Sequence, residues 1–298
     1  MKSEESKKII ALDKNYLYCL SFNSKGVFPR RYKDIKIEII GLKDGLVKKA
    51  LPLDIEKFTP TLVYSFLSED GNVRDFDDKL VMTFNIPREQ ALVIGEPYKK
   101  HLGYDRILID KKNLEIDLKT FTWQQDVSKF IEVGRNGEID GYSLLPRDYF
   151  FMENGSVALL FDKGKLSTFG AKPITSDMVL VITDKDFKVK EVITLEKKKE
   201  RNGSNEYLFS QYINNKKDVV FYYKDTKKEK ENDVKDKITY LYINTIIDGQ
   251  YTQETIKMAS KNEKYFVSPY PAKDGYILLR EYNEKEKYNQ IRLEKLNY

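Results

Sequence analysis

The chain has 298 residues, with 52 Lys and Arg against 47 Asp and Glu, a net charge of +5, 41% apolar and 13% aromatic residues. At this length about three quarters of the unfolded surface can be buried, and so many aromatics argue against disorder. One cysteine and one histidine exclude a disulfide framework, a multi-cysteine zinc site and every two-histidine metal or relay motif.

Taken in chain order, the periodicity is that of strands. Tyr16 to Asn23 (YLYCLSFN) is rich in β-formers, and Ile35 to Ile40 alternates strictly before a turn at Lys43-Asp44-Gly45 and a second strand, Val47 to Leu53. Asp-Gly between alternating runs is a hairpin signal. The pattern recurs from Leu62 to Leu67 through Asp70-Gly71-Asn72 towards Leu80 to Asn85, and again in Tyr104 to Ile109 and Leu114 to Leu118. Lys129 to Val133 is expected to turn at Arg135-Asn136-Gly137 into Glu138 to Leu144. Further hairpins follow: Tyr149 to Glu153 with Ser156 to Phe161, Met178 to Thr183 with Lys188 to Leu195, Glu206 to Ile213 with Asp218 to Tyr223, and Ile238 to Asn244 with Gln250 to Met258. Lys264 to Tyr270, Tyr276 to Tyr282 and Tyr288 to Leu296 close the chain. Pro146, Pro173 and Pro269 fall at strand edges or loops, where a sheet tolerates them.

Units beginning near Tyr149, Glu206 and Lys264 start about 57 residues apart, close to the period of propeller blades with long loops. The first two hold two hairpins each, which makes one four-stranded blade. The chain is therefore expected to be all-β: a single β-propeller domain over residues 1–298, built of four-stranded antiparallel blades, five in preference to six. The last unit has three strands, and Lys8 to Leu12 is the expected source of its fourth. The partner of Tyr288 to Leu296 tests this.

The segment Asp148 to Lys197 (DYFFMENGSVALLF…SDMVLVITDKDFKVKEVITLEK) resembles a recurring blade in a family of uncharacterised bacterial β-propeller proteins. Glu206 to Asp225 is similar to that family's next blade, and Phe266 to Leu296 to its ending. The resemblance covers Asp148 to Tyr298. It implies a propeller, and the family has no agreed catalytic residues to carry over.

Chemistry was sought in the same residues. Acids and bases interleave, as in Lys224 to Lys237, and the most basic run, Lys197 to Arg201, is broken by Glu200. A nucleic-acid binder shows a clustered basic stripe, so no nucleic-acid partner is expected. No apolar stretch reaches about 18 residues, so no transmembrane segment is expected. At the N-terminus Glu4 and Glu5 sit among the lysines, and Ile9 to Leu12 is too short for an export signal. The compartment is cytoplasmic, or periplasmic or secreted if such a signal has been removed.

A nucleophile–histidine system must use His101, which lies among the loop signals Pro97 and Gly103, and no GxSxG elbow or phosphate loop occurs. Asp75, Asp77 and Asp78 form the densest acidic group but lack calcium-loop spacing; they read as a solvated loop. No catalytic residue, metal or cofactor is expected. Cys19 reads as a small buried hydrophobe. Aromatics remain. Trp123 beside Gln124, Gln125 and Asp126 suits a sugar or protein partner, or else plugs a gap between blades. Pro146-Arg147-Asp148-Tyr149 and Ser268-Pro269-Tyr270-Pro271 are candidates for a binding rim. His101, Trp123, Arg147, Asp148, Tyr149 and Tyr270 are thus the candidate binding residues. The expected function is a non-catalytic binding or scaffold propeller whose partner is a protein or a glycan. The alternative is a carbohydrate-active hydrolase with two central-channel carboxylates, the pair standing about 5–9 Å apart.

Overall fold

The computed structural model describes residues 4–25, 31–53, 73–87, 101–134, 137–165, 174–199, 206–214, 217–231, 234–258, 266–273 and 275–296. These form five antiparallel meanders, each a sheet whose strands follow one another in the chain. The first is β1 (Glu4–Leu12), β2 (Tyr16–Lys25), β3 (Arg31–Gly41) and β4 (Val47–Pro52); the second is β5 (Val73–Asp75), β6 (Lys79–Pro87), β7 (His101–Asp110) and β8 (Ile116–Thr122). The third holds β9 (Ser143–Phe151), β10 (Val157–Lys165), β11 (Ile174–Thr183) and β12 (Val189–Leu195). The fourth holds β13 (Tyr207–Ile213), β14 (Asp218–Glu231), β15 (Val234–Ile247) and β16 (Gln250–Lys257), and the fifth β17 (Phe266–Pro271), β18 (Tyr276–Asn283) and β19 (Tyr288–Lys295).

Alternation gives each inner sheet two apolar faces, and each face packs on a neighbouring sheet. Tyr18, Leu20, Ile37 and Ile39 of the first sheet meet Leu80, Met82, Phe84 and Ile107 of the second. Val81, Tyr104 and Phe121 on the other side of the second sheet meet Phe151, Leu159, Phe161 and Val179 of the third. Phe150, Leu160 and Leu180 then meet Val219, Phe221 and Tyr223 of the fourth, and Val220, Tyr222 and Leu241 meet Ile277 and Leu279 of the fifth. A buried arginine ties the second sheet to the third: Arg106 on β7 donates to the carbonyls of Gly155 (2.7 Å) and Lys185 (2.6 Å) and pairs with Asp117.

The sheets fan out about an axis rather than stacking flat. Arg74 on β5 of the second sheet lies 3.9 Å above the ring of Tyr212 on β13 of the fourth. Tyr212 in turn accepts a hydrogen bond at 3.0 Å from the amide of Phe151 on β9. First strands of three successive sheets therefore converge, whereas the last strands β4 and β16 are mostly exposed. This is a β-propeller of five blades, four of them four-stranded.

Two sequence expectations are corrected here. β1 pairs with β2 in the first blade, and β19 pairs with β18, so Lys8 to Leu12 does not complete the last blade. Third strands elsewhere are sealed, with Ile37, Ile107, Leu180 and Ile246 all at 0% exposure, but Ile291 and Leu293 of β19 are 63% and 50% exposed. No strand forms over Lys129 to Val133 of the expected hairpin, and Arg135-Asn136 of its turn lie outside the described residues. Val127–Lys129 forms a 3-10 turn, and Asp140-Gly141, both at positive φ, close a tight turn bridged by Ile139 and Tyr142. Two successive positive-φ residues are the requirement of a type I′ turn, which the Asp-Gly pair meets. Finally, β5 was not foreseen, and Leu62 to Leu67 with its turn lies outside the described residues. No helix among the described residues is long and apolar enough to cross a membrane.

Candidate functional site

Between the outer strands of the third and fourth blades lies a cleft of about 590 Å³. One wall is the end of β12, Ile193 to Glu196; the other is tyrosine. The register puts the tyrosines there. Tyr223 on β14 stands directly opposite Tyr242 on β15. Tyr240 is two residues from Tyr242, so it shares that face. The Asp248-Gly249 turn, with φ of 50° and 73°, folds β16 back so that Tyr251 and Gln253 follow on the same side.

The rings are fixed rather than loose. Tyr223 and Tyr242 stack with centroids 4.4 Å apart and planes within 1°. Tyr251 donates from its hydroxyl to Asn244 Oδ1 at 2.8 Å, and Gln253 Nε2 donates to the same oxygen at 2.9 Å and to the Tyr251 and Tyr223 hydroxyls at 3.1 and 3.2 Å. Asn244 is held by its own donation to the carbonyls of Phe221 and Tyr242. Burial pushes the Tyr223 and Tyr251 phenols well above the usual range, and neighbouring Tyr242 and Tyr251 add to the rise at Tyr223. Both therefore stay protonated as O–H groups. Lys227 stands at the mouth, its ammonium 5.7 Å from the Tyr242 ring, and Glu196 lines the opposite wall.

The six residues singled out from sequence do not form one site. Trp123 is corrected from rim to core. It is 1% exposed and fills the gap between the second and third blades, with ring centroids of Tyr104, Phe121 and Phe161 at 5.9, 5.7 and 5.6 Å. Tyr149 is half-buried against the same core, 6.3 Å from Tyr104. The guanidinium of the half-buried Arg147 is engaged by the buried Asp162. Asp148 accepts from the hydroxyls of Tyr207 and Ser210, joining β9 to β13. Tyr270 is 44% exposed on β17. The backbone of His101 opens β7, and its side chain lies outside the described residues. Cys19 is buried as read. Asp75 pairs with Lys111 rather than standing free.

Acids do converge near the axis. Asp148, Asp162 and Glu206 lie where β9 faces β13, but each is engaged: Asp162 by Arg147, Glu206 by Lys197 at 3.3 Å, Asp148 by two hydroxyls. Burial raises the Asp162 carboxyl above its ordinary range although the Arg147 charge opposes it.

No protein-family model matches the chain. No curated protein matches it. Among solved structures it is similar to an endo-arabinase from Bacteroides thetaiotaomicron VPI-5482, with 11% identity and a TM-score of 0.29 over 100% of this chain and 95% of that one. A likeness that slight carries no fold or substrate across. The tyrosine cleft was not found from sequence because its walls come from two blades. The usable signal was local: Tyr240, Tyr242 and Tyr251 around the Asp248-Gly249 turn.

Proposed function

We propose that the protein is a non-catalytic binding module that holds a glycan in the cleft between its third and fourth blades. One observation carries this reading: a concave site walled by four tyrosines, two of whose hydroxyls are locked into a network with the Gln253 amide. Aromatic faces suit the apolar faces of sugar rings, and fixed O–H and N–H groups suit their hydroxyls. Ordering costs are already met, since the rings are stacked and hydrogen-bonded before a ligand arrives. A concave pocket of this volume fits a small ligand better than a flat protein surface. The convergent acids support binding over hydrolysis, because Asp148, Asp162 and Glu206 are engaged in holding the third blade and the fourth together.

The test is calorimetric titration of an oligosaccharide panel, with reducing ends assayed in the same samples. Binding of one glycan class is expected, without release of reducing ends. Gln253→Ala and Tyr242→Ala should each weaken it by about tenfold, the equivalent of about 1.4 kcal/mol. Gln253 is exposed, so its substitution leaves the fold intact. Release of reducing ends overturns the non-catalytic reading; binding that survives both substitutions removes the cleft from it.

A further inference from the structure

At the axis, first strands bring together residues from three blades. The Arg74 guanidinium carbon on β5 lies over the Tyr212 ring of β13, 3.9 Å from its centroid, and 6.0 Å from that of Phe76. Its Nε is sealed from solvent without a hydrogen-bond partner. Among the described residues no carboxylate pairs with Arg74. Among the described residues, two other cations near the axis are committed, Arg147 to Asp162 and Lys197 to Glu206. Asp148 is turned to Tyr207 and Ser210. Tyr212 is pinned by the Phe151 amide, so the surface under the guanidinium is rigid.

A buried donor left unmade is costly, and a guanidinium is a planar fork of five donors. Stacking on an aromatic face strips it of water without using its edge. Such a group is prepared for a planar acceptor carrying one negative charge. We propose that Arg74 is the binding residue of a second site, at the propeller axis, for the carboxylate of a small ligand. A single fork, with no second free cation beside it among the described residues, matches a monocarboxylate better than a phosphate dianion. The nearby Asp148 charge, which acts on Tyr212 together with that of Arg74, also disfavours a ligand of higher negative charge. The site is separate from the tyrosine cleft, which lies on the outer strands.

The experiment titrates the full chain with D-glucuronate, with glucose as the neutral control and inorganic phosphate as the competing anion. Binding is followed by calorimetry and by the Nε–H resonance of Arg74. Glucuronate should bind and move that resonance, and glucose should leave it in place. Arg74→Gln should weaken glucuronate by about tenfold or more, and Arg74→Lys should lose less, since it keeps the charge but not the fork. Gln253→Ala should leave the Arg74 resonance shift unchanged, which separates this site from the cleft. Equal affinity in a folded Arg74→Gln variant overturns the proposal. So does an unmoved Arg74 resonance in the wild-type protein, a readout that needs no variant to fold. A resonance moved by phosphate and not by glucuronate overturns the carboxylate assignment.

Discussion

Replacing Trp123 by alanine tests whether the indole fills an inter-blade gap or serves a ligand. The side chain is 1% exposed and touches three rings from the second and third blades. Burying a tryptophan removes about 200 Å² from water, which at about 25 cal/mol/Å² is about 5 kcal/mol. The retained methyl and residual burial in the denatured chain lower this to about 3–5 kcal/mol, the usual range for such truncations. Against a total of about 5–15 kcal/mol that is a large share. Urea unfolding followed by far-UV circular dichroism reads the loss, because Trp123 is the chain's one indole fluorophore. Trp123→Phe keeps a ring in the gap and should lose about 1–2 kcal/mol. A loss under about 1 kcal/mol for Trp123→Ala, with an unchanged denaturant slope, would refute the packing argument. Loss of glycan binding in a fully folded Trp123→Phe protein would return the residue to a binding role.

Two further outcomes rest on single positions. Gly137 has φ of +79°, and a Cβ there would stand 2.6 Å from Trp123 Cδ1, whereas Gly249 at +73° faces open space. Gly249→Ala should therefore cost only about 1–2 kcal/mol of backbone strain, and Gly137→Ala clearly more, as thermal midpoints will show. Glu38 is raised by burial but lowered more by hydrogen bonds from Lys36, Lys7 and Ser21, which hold it at about 2 against an ordinary 4.5. Its folded pKa is the lower one, so its stabilisation is full above 4.5 and is lost as pH falls towards 2. Acid titration of unfolding should show a smaller loss over that window in Glu38→Gln; an identical loss would remove Glu38 as the cause.

Strand content was legible because it is local. Alternation in Ile35 to Ile40 and the Asp-Gly pairs at 44–45 and 248–249 state their own structure, and the register between β15 and β16 follows from the turn. Where two local signals competed, the wrong one was followed. Glu138 to Leu144 alternates like a strand, but Asp140-Gly141 within it turns the chain, and β9 begins only at Ser143. Contacts between blades were not legible. Whether Trp123 meets solvent or Phe161, and whether Arg74 reaches Tyr212, depends on residues 38 and 138 positions away in the chain. Aromatic composition pointed to tyrosine as a residue class, but only the packing of β12 against β15 selects which tyrosines share the cleft.

The sequence-local meanders have a consequence for synthesis. Every blade is a run of adjacent hairpins, and among the described residues each inter-blade core joins blades that are neighbours in the chain. A chain emerging from its N-terminus can therefore seal the first core as soon as the second blade is out, and each later core one blade after that. Within each blade the pairing strands are consecutive in the chain, which keeps contacts local and favours fast assembly for an all-β protein. Of these five blades the fifth follows the other four and has three described strands, with β19 exposed along most of its length, so ribosome-stalled or truncated chains ending before Phe266 should already hold three of these four cores.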